Sequence, residues 1–417
     1  MPRSRRKPPA DAVTTVTDFS RIFTSDAFLS EPVIVVAVSG GSDSTALLFR
    51  AKDKISSDSR LVAVTVDHGL RPESADESAA VGALCASHNI EHKVVRWEGD
   101  KPATGIQAAA RLARYALLTQ ATVDLGGRLI LTGHTADDQA ETISMRMERG
   151  EGIGLAGIAP MTLHQRKVWF VRPQLGKRRA TLREELQQRG IGWINDPSNE
   201  NEAFERVRVR RDMSMLSDDD FTRLIKSGER AAARRVELGR RAAGVISRYA
   251  QLSSANTPTP NPSPQGGGGL GGGAGESPSP LWGGVRGGGK DVDADAIGLG
   301  RSFLLEQPDA AIHALRILLA TVGATEQLPD LKRTGALFQR LQETERGRFS
   351  LARAVIAKRK GEIVLTRERR GNSARPNEGA LTICSPWQHL LPCFDIEPAR
   401  AIDELLGKTP PPALPWP

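Results

Sequence analysis

Apolar and polar positions come in blocks through the first third of the chain. Short apolar runs at Val33–Val38, Leu61–Val66, Lys93–Val95 and Arg128–Thr132 each close at a polar or glycine-bearing turn. Between them lie longer stretches with apolar residues near helical spacing, clearest in "IQAAARLARYALLTQA" (Ile106–Ala121). Short runs of this kind read as strands and the longer period as helix. The β-α-β-α order predicts an α/β fold built on a doubly wound parallel sheet, in which ligands bind beyond the carboxyl ends of the strands.

From near Leu175 the pattern becomes mostly helical, through Lys177–Gly190, Asp218–Tyr249 and Asp309–Gly323. Residues Arg348–Arg367 alternate apolar and polar positions around a Lys-Gly turn, which predicts a small hairpin. Between the helical halves, Thr257–Lys290 holds 13 of the 41 glycines and 6 of the 26 prolines. Such a composition cannot pack a core and reads as a flexible insertion tolerated by its host domain. The expected organisation is a basic tail over 1–30, the α/β domain over 31–216, and a smaller, mostly helical domain over 217–370 interrupted at 256–290. Little order is expected over 371–417.

Composition changes this picture only modestly. Hydrophobic residues are 39% and charged residues 25% of the 417, ordinary globular usage, and no run approaches the roughly 18 apolar residues of a membrane helix. A soluble protein without a membrane partner is expected. Cys85, Cys384 and Cys393 form neither a C-x-x-C pair nor a dense secreted framework, which suits a reducing cytoplasm. The basic N-terminal stretch lacks the apolar segment of a signal peptide.

The charge is unevenly placed. Between Arg166 and Arg248 there are 20 Lys/Arg against 12 Asp/Glu, a surplus as large as the +8 of the whole chain. A concentrated basic segment beside a balanced domain points to a polyanionic partner, nucleic acid first among them. Solvated helix faces are the plainer alternative.

One turn carries the candidate chemistry. "SGGSDS" (Ser39–Ser44) follows the first strand and opens a helix, the setting in which backbone N–H groups and the helix dipole hold phosphate. Gly40 and Gly41 allow close approach, and Ser39, Ser42 and Ser44 offer hydroxyls. The spacing fits neither a Walker A loop nor a dinucleotide fingerprint. At helical spacing His134, Asp137, Asp138 and Glu141 would share one face, and Arg111 and Arg114 lie about one turn apart.

"SGGSDS" after "VIVVAV" resembles the PP-loop of the N-type ATP pyrophosphatase superfamily, which cleaves ATP between its α- and β-phosphates. The resemblance implies an adenine-nucleotide α-hydrolase-like fold, with Ser39, Gly40, Gly41, Ser42, Asp43 and Ser44 on the pyrophosphate and Asp43 near the reacting centre or its Mg²⁺. Further stretches, "VDHGLRPES" (Val66–Ser74), "ARLARY" (Ala110–Tyr115), "GHTADDQAETISMRMERGEGIGLAGI" (Gly133–Ile158), "VRPQL" (Val171–Leu175) and "INDPSNENEAFERVRVR" (Ile194–Arg210), are similar to the tRNA(Ile)-lysidine synthase family. Two positions depart from the family pattern: Val207 stands where Asn is usual, and Gln174 where an apolar residue is common.

The resemblance implies a C–N bond-forming ligase. ATP would adenylate C2 of the wobble cytidine of a CAU-anticodon tRNA(Ile), and free L-lysine would displace AMP to leave lysidine. Residues 31–216 would be the ATP-binding catalytic domain and 217–370 the tRNA-binding one. Asp43, His134 and Asp137 would be catalytic. Asp67 and His68 would lie on the adenosine side, and Asp138, Glu141, Arg111, Arg114, Arg206 and Arg210 would contact the other substrates. ATP and Mg²⁺ would be required, and a homodimer is compatible with the family. A PP-loop tRNA thiolase and a non-catalytic nucleotide- or RNA-binding relative remain as alternatives.

Overall fold

The computed structural model describes residues 31–70, 73–148, 150, 153–195, 205–253, 296–359, 362–368 and 385–412. The expected basic tail (1–30) and Gly/Pro-rich insertion (256–290) lie outside the described residues. Two compact units emerge, one of Met1–Gly244 with Trp387–Arg400 and Pro411–Pro417, the other of Val245–Pro386 with Ala401–Pro410.

The first unit opens with β1 (Val33–Ala37), α1 (Ser42–Lys52), β2 (Arg60–Asp67), α2 (Ser74–Ser87), β3 (Glu91–Arg96), α3 (Ile106–Asp124), β4 (Leu129–Thr132) and α4 (Ala136–Glu148). It continues with β5 (Met161–His164), β6 (Val168–Val171), α5 (Arg179–Gln188), α6 (Glu205–Ser214) and most of α7 (Asp218–Tyr249). All five residues of β1 are buried, as expected of a parallel strand covered on both faces. Val33, Val35 and Ala37 pack with Val62, Val64, Tyr115, Leu118, Ile130 and Phe170 into the main core.

β1 pairs in parallel with β2 on one side (Val35 opposite Val62) and with β4 on the other (Val35 opposite Ile130). With β12 (Leu390–Pro392) at one edge, the sheet runs β12-β5-β6-β4-β1-β2-β3. The chain moves outward from β1 through β2 to β3, then crosses back to place β4 on the opposite flank. The order therefore reverses at β1/β4, and the crevice beyond their carboxyl ends is the ligand position of such sheets. Both the SGGSDS turn and Gly133 stand there.

β5 and β6 were not legible from apolar runs. Each has four residues, and they are joined through Gln165 and Arg166 in left-handed backbone (φ 48° and 57°). The outermost strand corrects another expectation. Little order was anticipated after residue 370, yet β12 (Leu390–Pro392) adds antiparallel to β5, Phe394 packs with Ala156 and Ala232, and Asp395 pairs with Arg235 (2.9 Å). An edge strand, an apolar anchor and an ion pair are enough to fix a segment that is short of its own core. Residues 371–384 and 413–417 lie outside the described residues.

The first unit runs to Gly244, and within it Phe221 of α7 packs on Ala136 and Ala140 of α4. The second unit carries the expected helix as α8 (Pro308–Gly323), followed by α9 (Leu331–Glu343). It also holds an antiparallel sheet in the order β7-β8-β11-β10-β9, made of β7 (Ala250–Ser253), β8 (Ala296–Gly300), β9 (Gly347–Leu351), β10 (Ala354–Arg359) and β11 (Glu362–Arg367). The anticipated hairpin is the β10–β11 pair of this larger sheet. The last helix is α10 (Ile396–Leu405).

Candidate active site

The turn after β1 is shaped by its glycines and hydroxyls. Gly40 has φ +84°, a left-handed conformation that favours glycine, and a Cβ there would push on Ile194 Cδ1, 2.5 Å away. Thr45 Oγ1 donates to Gly40 O (3.2 Å) and Ser44 Oγ to Gly41 O (3.1 Å), while the Ser39 N–H donates to Ser44 Oγ (3.2 Å). Ser44 thus staples the turn from inside. Ser39 is exposed, and Ser42 donates to Asp43 Oδ1 (3.0 Å). Gly41 enters α1 in extended backbone with no side-chain cap, leaving first-turn N–H groups for an anion.

Gly133 lets the β4 turn close on this helix. A Cβ there would lie 2.9 Å from the Asp43 backbone and Ser44 Cα. Two residues on, Thr135 and Asp138 form a reciprocal capping box at the start of α4. The Thr135 N–H donates to Asp138 Oδ2 (2.8 Å) and the Asp138 N–H to Thr135 Oγ1 (3.4 Å). Capping uses one oxygen of Asp138 and leaves Oδ1 facing the crevice.

Arg179, at the first turn of α5, gathers the acids. Its Nε donates to Asp43 Oδ2 (2.8 Å) and its Nη2 to Asp138 Oδ1 (3.2 Å), with Glu141 Oε1 3.8 Å from Nη1. Arg210 of α6 reaches the same group, donating from Nε to Glu141 Oε1 (2.7 Å). Burial alone would raise the Asp138 carboxyl, but Arg179 beside it holds it below its ordinary value. Glu141, 1% exposed, goes the other way, raised by burial despite Arg210.

The other expected residues sort by position. Asp137 turns toward α5, accepting from the Arg179 backbone N–H (2.7 Å) and Arg178 Nε (3.3 Å), and so fixes the helix that carries Arg179. His134 precedes α4 and cannot share its face, a correction to the helical-spacing argument; its Nδ1 lies 3.2 Å from Thr132 Oγ1. Burial, followed by the field of Arg172, pushes His134 down to about 3, so it is neutral. The fields of Arg114 and Arg111 lower His134 further, and Arg111 donates from Nη2 to Tyr115 Oη (3.4 Å).

Asp67 shapes its own turn, accepting from the Gly69 N–H (2.8 Å) and from Arg96 Nε (3.0 Å). His68 is held low, first by burial and then by Arg114. Its Nδ1 is buried and has no hydrogen-bond partner among the described residues. The Arg206 side chain lies outside the described residues, as do Asp196, Ser198 and Asn199.

Sequence reading gave no site role to Arg172, Gln174, Arg178, Arg179 or Arg183. Arg172, 3% exposed, donates to Tyr115 Oη (3.1 Å) and Ala159 O (2.7 Å). Fully buried Gln174 donates from Nε2 to Asp43 O (3.0 Å), which gives the departure from an apolar residue a local purpose. The available signal for Arg179 was its place beside "VRPQL" at the head of an amphipathic helix; its acid partners stand too far away in sequence to be paired by eye.

Among the described residues, no three His, Cys, Asp or Glu side chains converge as a metal cage. A magnesium ion carried on a nucleotide needs only one or two carboxylates besides phosphate oxygens. Asp43, at the mouth of the turn, is a fitting carboxylate of that kind.

The PP-loop domain family matches residues 13–216. A tRNA(Ile)-lysidine synthase from Mesorhizobium japonicum is 36% identical over 91% of this chain and 94% of its own length. One from Rhizobium meliloti is 38% identical over 85% of this chain and 72% of its own length. Among solved structures, a U34-tRNA thiolase from Methanococcus maripaludis gives a TM-score of 0.43 at 16% identity, covering 52% of this chain and 77% of that one. With relatives this similar along nearly the whole chain, and with the glycine turn and acid cluster meeting at the sheet's switch point, the chain belongs to the tRNA(Ile)-lysidine synthase family.

Proposed function

We propose that the protein joins free L-lysine to C2 of the wobble cytidine of CAU-anticodon tRNA(Ile) in two steps driven by ATP. In the first, the C2 oxygen attacks the α-phosphorus and pyrophosphate leaves with the bonding electron pair. In the second, the lysine ε-nitrogen adds to C2 and AMP leaves with the former C2 oxygen. Adenylation turns a poor leaving oxygen into a good one. One observation carries the reading: Asp43 of the phosphate turn and the acids of α4 meet around a single guanidinium.

Each step has residues suited to it. The first-turn N–H groups of α1, Ser39 and Ser42 would hold the pyrophosphate half, while Asp43 would hold the Mg²⁺, which offsets phosphate charge when bound. Asp67 and His68 flank the adenosine side, with the free Nδ1 of His68 available to a ligand. The cation pocket now filled by Arg179 suits the lysine ammonium, with Asp138 as its ion partner. Glu141, whose carboxyl is raised by burial, is the better proton acceptor, since a base gains strength as its pKa moves toward the operating pH. His134 stays neutral and can donate or accept a hydrogen bond. Asp137 acts through α5 as a positioning residue.

Arg111 and Arg114, one turn apart on α3, would meet RNA or nucleotide phosphate, as would Arg206 and Arg210 of α6. Anticodon bases read one by one must be splayed from their stack, and basic side chains position the backbone while they are. The thiolase alternative fits less well. Cys85 and Cys393 are both pushed up to about 11 by burial, the reverse of a reactive thiolate, and Cys384 lies outside the described residues.

The test is pyrophosphate release from ATP by the purified chain, with and without lysine and CAU-anticodon tRNA(Ile), followed by mass spectrometry of the wobble nucleoside. Ligation requires both substrates for net turnover and adds the mass of lysine less water. Release that is indifferent to lysine would support thiolation, and none at all a binding protein.

A further inference from the structure

We propose that Arg183 is a ligand of the pyrophosphate half of the nucleotide, delivered to the SGGSDS turn by α5 from outside that motif. This rests on reading the turn as a pyrophosphate cradle, and it names a contact that reading lacks. The geometry comes from helix packing. Leu182 and Leu186 of α5 bury against Ala46 and Phe49 of α1, together with Ile191. Arg50 and Glu185 clamp the same pair of helices through two hydrogen bonds of 3.0 Å each.

With α5 fixed along α1, positions 179 and 183 stand one turn apart and address the first turn of α1. Arg179 reaches Asp43, and Arg183 Nε lies 3.3 Å from Ser42 Oγ. The two arginines differ in their remaining partners. Arg179 is surrounded by Asp43, Asp138 and Glu141, whereas Arg183 forms no ion pair among the described residues and is an exposed residue. Its neighbours Arg50, Arg178 and Arg189 all have carboxylate partners.

A guanidinium without a counter-charge at the mouth of a helix N-terminus completes an anion site. Arginine offers paired N–H donors that match phosphate oxygens. When the bond from the α-phosphorus to its bridging oxygen breaks, the electron pair stays on the leaving pyrophosphate. A fixed cation placed there favours that charge more in the transition state than in bound ATP. Arg183 thereby affects both nucleotide affinity and turnover.

The experiment measures binding of magnesium pyrophosphate and of AMP to the full chain by calorimetry, for wild type, Arg183→Gln and Arg183→Lys. A charge-assisted contact of this kind corresponds to roughly a 10- to 100-fold loss of pyrophosphate affinity in Arg183→Gln. AMP affinity should stay within about twofold, and Arg183→Lys should recover part of the loss, since charge without the planar fork is a partial substitute. Equal weakening of pyrophosphate and AMP, unchanged pyrophosphate binding, or a loss confined to tRNA affinity would each overturn the assignment. A wild-type protein that binds neither ATP nor pyrophosphate would overturn the reading of the turn itself, and this inference with it. As an exposed residue bonded to one hydroxyl, Arg183 can be replaced without loss of fold, and thermal melting of both variants checks this.

Discussion

Arg179→Gln removes the cation on which three carboxylates converge. Asp43 and Asp138 lose partners at 2.8 and 3.2 Å, and Glu141 one at 3.8 Å. Removing one member of a buried ion pair costs about 3–5 kcal/mol, because the other charge is left without compensation. Two features reduce this. The Asp43 side chain is 20% exposed, and Arg210 remains 2.7 Å from Glu141. A destabilisation of about 2–4 kcal/mol is therefore expected, which lowers the melting temperature of a unit this size by about 5–12 °C.

The effect has a pH signature. Asp138 is held below its ordinary value in the folded wild type, so its contribution is complete above the unfolded carboxylate pKa and disappears as pH falls through the folded one. In the variant, the Asp138 and Glu141 carboxyls rise without Arg179, and protonation then relieves their repulsion as the solution is acidified. The stability gap between the two proteins should be full at pH 7.5 and narrow as pH falls through and below the ordinary carboxylate range of about 4. Melting followed by circular dichroism at fixed ionic strength measures it. A gap that does not change with pH, or a loss below about 1 kcal/mol, would refute the view that this guanidinium neutralises the cluster.

Gly133→Ala should cost about 1–3 kcal/mol and weaken ATP binding at least about tenfold, since its Cβ meets the Asp43 backbone at 2.9 Å; denaturant titration and nucleotide calorimetry measure the two effects. Asp137→Asn should lower turnover less than Glu141→Gln, because Asp137 holds α5 whereas Glu141 faces the cation pocket; steady-state kinetics with lysine as the varied substrate compares them. Thr135→Ala should lose about 1 kcal/mol with its half of the capping box, read as a fall in denaturation midpoint. The His134 ring, pushed down to about 3 by burial and Arg172, should show constant ¹⁵N ring shifts between pH 5 and 8. A histidine kept neutral in the fold also withdraws stability as pH falls below about 6.5, its unfolded value.

Much of the first unit was readable one segment at a time. The apolar run of β1, the Ser/Gly turn it leads into and the helical period of Ile106–Ala121 are local features, with their causes within a few residues of each other. Short-range sterics, hydrogen bonding and side-chain period determine them, so the chain alone sufficed to place a Ser/Gly turn between a parallel strand and a helix. The fold of unit two was less legible, because β7 and β8 are four- and five-residue segments whose strand character depends on the partners beside them.

Tertiary structure decided which charges meet. Arg179 lies 136 positions from Asp43 and 41 from Asp138, and nothing in its neighbourhood distinguishes it from Arg178, which stacks over Phe221 at 3.8 Å. The same is true of Arg183 and Ser42, 141 positions apart, and of β12, whose place at the sheet edge follows from pairing with β5. Coulomb attraction and strand pairing depend on distance in space. The packing of Leu182 and Leu186 against α1 sets those distances, which is why one arginine of a basic stretch becomes the hub of the site and its neighbours do not.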